Sequence, residues 1–193
     1  MDTPTPAPRR RRYGGRTRRS RRLTNVAIMI AGAVILVCII LYSLFGGSDP
    51  DKLYAVYHKT YKAPTPVERQ LLALSPIQEH QTAYKAYTDR RYIEAERLFS
   101  QLAQRDTSEL AIFFAGLSAL ERDRPRVAAD YLEAVPTTSI VYRDAVWYQA
   151  LAHMEARRVT SARKHLEQLA QVDGPYRKRA KELLVQLPER SEQ

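Results

Sequence analysis

The chain offers few residue types in spacings that support catalysis or metal binding. No histidine has a second histidine one helical turn away or a cysteine nearby, as most metal sites require. The four histidines are His58, His80, His153 and His165. Phosphate-binding glycine loops and nucleophile motifs do not occur in the sequence. The sequence therefore predicts a protein that is not an enzyme and holds no cofactor and no metal.

The charged groups that stand out are arginines near the N-terminus. Nine arginines against one acidic residue precede Val26, whereas the rest of the chain is close to neutral. We expect them to contact anionic lipid headgroups, which is worth about 1 kcal/mol per basic residue near a membrane surface. A twin-arginine export signal and an arm that neutralises nucleic-acid phosphates are the weaker alternatives, because the apolar run lacks a cleavage site and no fold context supports nucleic-acid binding. The arginines are Arg9, Arg10, Arg11, Arg12, Arg16, Arg18, Arg19, Arg21 and Arg22.

An apolar run at residues 26–45 directly follows these arginines. It has no charged residue, and twenty helical residues at about 1.5 Å each span the roughly 30 Å of bilayer hydrocarbon. A core helix would show a polar side, and a signal peptide would be followed by small residues in an A-x-A pattern. We therefore predict a retained transmembrane helix over 23–46 and an Arg-rich cytoplasmic tail over 1–22, because arginines stay on the cytoplasmic side. The only cysteine, Cys38, lies in the run, so an intramolecular disulfide is impossible.

Residues 47–74 are predicted as a juxtamembrane linker. Tyr54, Tyr57 and Tyr61 recur every three to four residues, before Pro64 and Pro66 interrupt regular structure. The tyrosines would either lie on the membrane interface or pack on the domain that follows.

From Ser75 onward the pattern is helical. Ser75, Pro76 and Gln78 form a helix start with a capping residue, a first-turn proline and a capping-box glutamine. Glu94 and Glu96 are expected on a solvent-exposed helix face. We predict an all-α domain over 75–188, followed by a short tail at 189–193. The predicted helices cover 76–89, 92–105, 108–122, 125–135, 139–157, 159–171 and 175–187.

These helices form a repeat. Ala95, Ala128 and Ala162 begin equivalent runs at intervals of 33 and 34 residues. A small residue lies twelve positions before each of them, so that paired helices can approach closely. These small residues are Ala83, Gly116 and Ala150.

This pattern resembles the tetratricopeptide repeat (TPR). The matching positions are Ala83, Tyr92, Ala95 and Phe99, then Gly116, Ala128 and Leu132, then Trp147, Tyr148, Ala162 and Leu166. Arg90 and Asp123 stand where the motif usually has a turn glycine. The resemblance implies an α-α hairpin solenoid of about three degenerate pairs plus a capping helix. Residues 53–187 also resemble membrane-anchored TPR proteins of Bacteroidetes-type bacteria, through Tyr57 to Tyr61, Arg69 and residues 145–152. This likeness implies a single-pass protein of the bacterial inner (plasma) membrane with a periplasmic domain.

The resemblance also implies a partner groove, since the first helix of each TPR pair lines the concave side. The groove would take an apolar peptide or helix, or would be covered by the chain's own linker or by a second copy in a homo-oligomer. We therefore expect a membrane-anchored scaffold that docks proteins and assists assembly or stability of an envelope complex. The alternative is a transmembrane regulator whose arginine tail contacts a cytoplasmic partner or nucleic acid. The groove residues are Ile77, His80, Tyr84, Tyr87, Leu110, Phe113, Leu117, Glu121, Tyr148, Ala152 and Glu155.

Overall fold

The computed structural model describes residues 29, 33, 35–37, 49–74 and 77–188, and the chain divides into two compact units, Met1–Gly46 and Gly47–Gln193. Every regular element in these described ranges is a helix, which confirms the all-α prediction. The predicted arginine tail with Arg9 to Arg22, and the predicted tail at 189–193, lie outside the described residues.

The first unit is described at residues 29, 33 and 35–37 only. All five are helical and exposed, with Met29 at 75%, Leu36 at 61% and Ile35 at 60% of their full accessible surface. Within the part of the chain that the structure describes, no helix is both long and apolar enough to cross a membrane. Most of the transmembrane helix predicted over 23–46 falls on residues outside that part.

Nine helices make up the described part of the second unit. The last seven are the seven predicted from sequence, and no end differs by more than three residues. The helices are α1 (Pro50–Tyr57), α2 (Thr65–Ala73), α3 (Ile77–Thr88), α4 (Tyr92–Asp106), α5 (Glu109–Leu120), α6 (Pro125–Glu133), α7 (Tyr142–Glu155), α8 (Val159–Gln171) and α9 (Arg177–Gln186).

The predicted repeat has a counterpart in backbone geometry. Arg90, Asp123 and Arg157 adopt left-handed conformations, with φ of 61°, 54° and 58°, between the two helices of three successive pairs. They are spaced by the same 33 and 34 residues as the repeated alanines. After each of them, the next amide donates to a carbonyl five residues back, for example from Arg91 to Ala86 at 2.8 Å. This bond closes a helix end in the usual left-handed way, although no glycine is present.

The helices pack in chain order. Each helix from α3 to α9 contacts the next, α3 also meets α5, and α5 also meets α7. The repeated alanines Ala95, Ala128 and Ala162 are completely buried, which lets the paired helices come close together. The helices α5 and α7 are central, because every residue from Leu110 to Leu120 except the partly buried Ile112, and every residue from Ala145 to Met154, is buried.

The described residues of the predicted linker, 49–74 of 47–74, are a folded part of this unit. Helix α1 packs on α7, and α2 packs on α3. Leu53, Tyr61, Val67 and Leu71 from this segment are buried in the same core as the repeat helices. Of the two placements considered for its tyrosines, the structure shows packing on the domain, because Tyr61 is buried and Tyr54 and Tyr57 are partly buried against the core.

Candidate functional site

An extended segment lies across one face of helices α3, α5 and α7. We call this face, which carries Tyr87, Phe113 and Tyr148, the inner face. Residues 58–64 connect α1 to α2 without helical structure, and we call them the strap. The strap passes over side chains of α3, α5 and α7, which are the helices whose faces were predicted to form a partner groove. This face and the strap together are the best-defined candidate for a functional site in the described residues.

Two tyrosine hydroxyls hold the strap by its backbone. The hydroxyl of Tyr148 donates to the carbonyl of Lys59 at 2.7 Å, and that of Tyr87 donates to the carbonyl of Tyr61 at 3.1 Å. Both donors are buried, Tyr87 at 3% and Tyr148 at 6% exposure. Because the acceptors are main-chain carbonyls, these two bonds do not depend on the side chains that the strap carries.

Tyr61 is the strap's side-chain anchor. Its ring meets Phe113, Tyr148 and Phe114 edge to face, with centroids 5.1, 5.8 and 6.1 Å away. Such arrangements are the favourable ones for aromatic pairs. Its hydroxyl donates to Oδ2 of Asp144 at 3.1 Å. The anchor site is thus an aromatic box with one carboxylate at its end.

Asp144 is shared between the strap and the end of the domain. Its Oδ1 accepts a 2.5 Å bond from the hydroxyl of Tyr176, which precedes α9. Burial raises the pKa of Asp144, and the two tyrosine hydroxyls oppose that rise. Burial, together with the nearby Asp144 carboxylate, raises the pKa of both Tyr61 and Tyr176, so both remain donors at neutral pH.

The other end of the strap lies in an acidic environment. His58 stacks on Tyr54 with centroids 4.8 Å apart, and its Nε2 is 3.4 Å from Oε1 of Glu121. Burial lowers the pKa of His58, although Glu121 and Asp123 oppose the shift. Burial also raises the pKa of Glu155, and the neighbouring Tyr54 hydroxyl opposes that shift. The described residues contain no group of three or more acidic, histidine or cysteine side chains arranged to hold a metal ion.

The predicted groove residues are mostly inside the core. His80, Tyr87, Leu110, Phe113, Leu117, Tyr148 and Ala152 are buried, and Tyr84, Glu121 and Glu155 are partly buried. Ile77 is the one exposed member of the set, at 51%. In this conformation the face is not an open groove, because the chain's own strap covers it. This was one of the three coverings that the sequence left open.

Glu96 was expected on a solvent-exposed face, and that expectation is wrong. It is only 7% exposed, and its two oxygens accept from Arg122 at 2.5 Å and from Arg124 at 2.6 Å. The two arginines flank the left-handed Asp123, so the buried carboxylate ties α4 to the turn between α5 and α6. Glu94, two residues earlier in the chain, is partly exposed and pairs with Arg91.

Two further histidines lie far along the chain from the strap. His153 on α7 and His165 on α8 stack with centroids 5.3 Å apart and nearly parallel rings. Burial, the larger cause, and the neighbouring His165 together lower the pKa of His153 to about 4. His153 is 9% exposed and packs against α8 through this stack.

A cavity of about 250 Å³ opens where α7, α8 and the start of α9 meet. Val146, Leu169, Val172 and Tyr176 give it an apolar lining, and Arg143 and Arg177 are among its other lining residues. Both arginines are engaged by Asp173, through its carbonyl and its carboxylate respectively. No sequence pattern predicts this cavity, because its lining comes from three separate segments.

Comparisons of the chain with protein-family models, with curated protein sequences and with solved structures found no match in any of the three searches.

Proposed function

We propose that the chain is a membrane-tethered protein-interaction module: one transmembrane helix followed by a TPR-like α-α hairpin solenoid that docks partner proteins. The strap is the observation that carries this proposal. It demonstrates that the inner face holds an extended polypeptide, with hydroxyls on its carbonyls and an aromatic box for one side chain. Side-chain donors aimed at main-chain acceptors, combined with one specific pocket, are how protein surfaces recognise peptides.

The solenoid part of the proposal is supported by the turns. Left-handed residues at Arg90, Asp123 and Arg157 recur with the period of the sequence repeat, so the helices come as three equivalent pairs. Helix α9 would cap the stack. Its Leu183 and Ala180 are buried, whereas Lys178 and Lys181 are exposed. A polar outer face of this kind is what a terminal repeat requires.

The membrane part is supported by the apolar run. Met29, Ile35, Leu36 and Val37 are helical and more than half exposed, which is costly in water and favourable in lipid. With the arginines preceding the run, the proposed location is the bacterial inner membrane, with the N-terminus cytoplasmic and the helical domain extracytoplasmic. There the domain would assist assembly or stability of an envelope complex.

Fractionation and proteolysis test the tether. The full chain with a C-terminal tag should stay in the membrane pellet after alkaline carbonate extraction, and protease added to spheroplasts should remove the tag. A variant with all nine tail arginines changed to glutamine should show mixed orientation. Release by carbonate, or a tag that survives while the N-terminus is clipped, would refute the proposed topology.

In-cell photo-crosslinking tests the docking. A photoreactive residue at Ile77, at the exposed edge of the inner face, should yield a defined adduct with another protein. The same residue at Val185, which is 87% exposed on α9, is the matched control and should yield none. Equal labelling from both positions would mean that the inner face has no special role. Adducts that instead depend on the arginine tail would favour the transmembrane regulator.

A further inference from the structure

We propose that the strap is a displaceable occupant of the inner face, and that the partner which replaces it is an extended peptide segment carrying a tyrosine. This inference rests on the proposed function and names the kind of partner that the inner face recognises. The competition between strap and partner would make the strap an autoinhibitory element within the same chain.

The strap is held by few contacts compared with a helix of the core. Tyr61 is its only fully buried side chain, whereas Lys59, Thr60 and Lys62 are exposed. Its fixed points are the two carbonyls that accept from Tyr148 and Tyr87, the Tyr61 anchor, and the partly buried His58 beside Tyr54 and Glu121. Any other extended segment also has main-chain carbonyls, so it can accept the two hydrogen bonds from Tyr148 and Tyr87 after the strap has left, without any change in the face.

The geometry of these contacts specifies the shape of the replacement. The two bonded carbonyls belong to Lys59 and Tyr61, which are two residues apart. In an extended chain, groups two residues apart point to the same side. The donors on α7 and α3 are therefore placed for an extended segment, and a helical segment would use its own carbonyls internally.

The anchor specifies the side chain. An aromatic ring fits between Phe113, Phe114 and Tyr148, but an apolar ring alone would leave Oδ2 of Asp144 without its donor. An unsatisfied buried carboxylate oxygen is costly. The face should therefore prefer tyrosine to phenylalanine at this position, and it should be indifferent to the exposed side chain at the position of Lys59.

Peptide binding to the full chain in lipid nanodiscs tests this inference. The probe is a fluorescein-labelled peptide of residues 58–64, read by fluorescence anisotropy. In the wild-type chain the strap competes at the high effective concentration of a tethered segment. We expect Tyr61→Ala in the full chain, which weakens the strap and leaves the face intact, to bind the peptide at least tenfold more tightly than wild type. Lys62→Ala, at an exposed strap position, is the matched control and should bind as wild type does.

Variant peptides test the specificity on the Tyr61→Ala chain. A peptide with alanine for Lys59 should bind like the parent, one with phenylalanine for Tyr61 at least threefold more weakly, and one with alanine for Tyr61 not measurably. If circular dichroism shows that Tyr61→Ala loses helix content, Tyr61→Phe in the full chain replaces it, with an expected gain of at least threefold over wild type.

The inference is overturned if the folded variant binds the peptide no better than wild type does, or if the peptide's own tyrosine makes no difference. The strap would then be a permanent part of the core. That outcome would leave the carbonate, protease and crosslinking results unaffected, so it is distinguishable from failure of the proposed function.

Discussion

Gly116→Ala should destabilise the domain, although alanine is the better helix former. A Cβ atom at position 116 would lie 2.9 Å from Cγ of Leu132, and 3.1 Å from both Cδ2 of Leu132 and Cβ of Tyr131. Leu132 is 2% exposed and has no space to retreat into. Replacing a helical glycine gains about 1 kcal/mol of propensity, whereas overpacking a filled core costs about 1–3 kcal/mol. We therefore expect a net loss of roughly 1 kcal/mol.

The chain provides its own probe for this measurement. Trp147 is the only tryptophan, is 2% exposed, and stacks on Tyr176 with centroids 5.1 Å apart. Its fluorescence should change when α7 and α9 separate, so urea titration of the full chain in nanodiscs reports unfolding of the domain. The midpoint should fall with an unchanged slope, as expected when stability changes and the exposed surface does not.

Gly174→Ala is the matched control for this substitution. A Cβ there would also make a close approach, 2.8 Å, but to Nη1 of Arg143, the end of a flexible and exposed side chain. Arg143 can move, so the change should stay within about 0.5 kcal/mol. A Gly116→Ala chain as stable as wild type, or more stable, would refute the close approach of α5 and α6 at this point.

Two further predictions concern charged groups. Glu96→Gln should cost about 1–2 kcal/mol in urea titration, because it weakens two charge-assisted bonds to Arg122 and Arg124. Glu94→Gln, at the partly exposed carboxylate that pairs with Arg91, should cost under about 0.5 kcal/mol, and equal effects would contradict the buried pairing. The pKa of His153 is lowered to about 4 in the folded chain, against about 6.5 in the unfolded chain. Between these two pH values the unfolded chain binds more protons, so the free energy of unfolding should fall as the pH is lowered from about 6.5 to about 4. His153→Gln should make this fall smaller in a series of urea titrations at different pH, and an unchanged pH profile would contradict the lowered pKa of His153. Because the raised pKa values of Asp144 and Glu155 change stability in the opposite direction, the quantity to compare is the difference between variant and wild type at each pH.

The helices of the repeat were predictable because local signals mark them. Pro125 lies in the first turn of α6, and the side chain of Ser108 caps α5 by accepting from the amide of Ala111. The spacing of the repeated small residues predicts which helices form pairs. Even the substitution of Arg90 and Asp123 for turn glycines left the period intact, since both adopt the left-handed conformation that glycine would have supplied.

What covers the inner face was not predictable in the same way. The apolar and aromatic residues of α5 and α7 show that their faces must be shielded from water, but a partner, a second copy or the chain itself would satisfy that need equally. The strap has no helical or alternating pattern, so no periodicity marks it. Glu96 was misjudged for a related reason: its burial depends on Arg122 and Arg124, which come from another pair of helices.

The tyrosine content of the chain carries a signal that periodicity does not. The sequence has 12 tyrosines and only four phenylalanines, although an all-helical core satisfies its own backbone and has little use for buried hydroxyls. An extended segment that crosses such a core presents carbonyls without partners, and burying them unpaired would be unfavourable. Tyr87 and Tyr148 supply a ring for the core and a donor for the strap at once, and Tyr61 and Tyr176 do the same for Asp144. In a helical-repeat sequence, an excess of tyrosine over phenylalanine on the inner helix faces should therefore indicate that a non-helical segment lies against them.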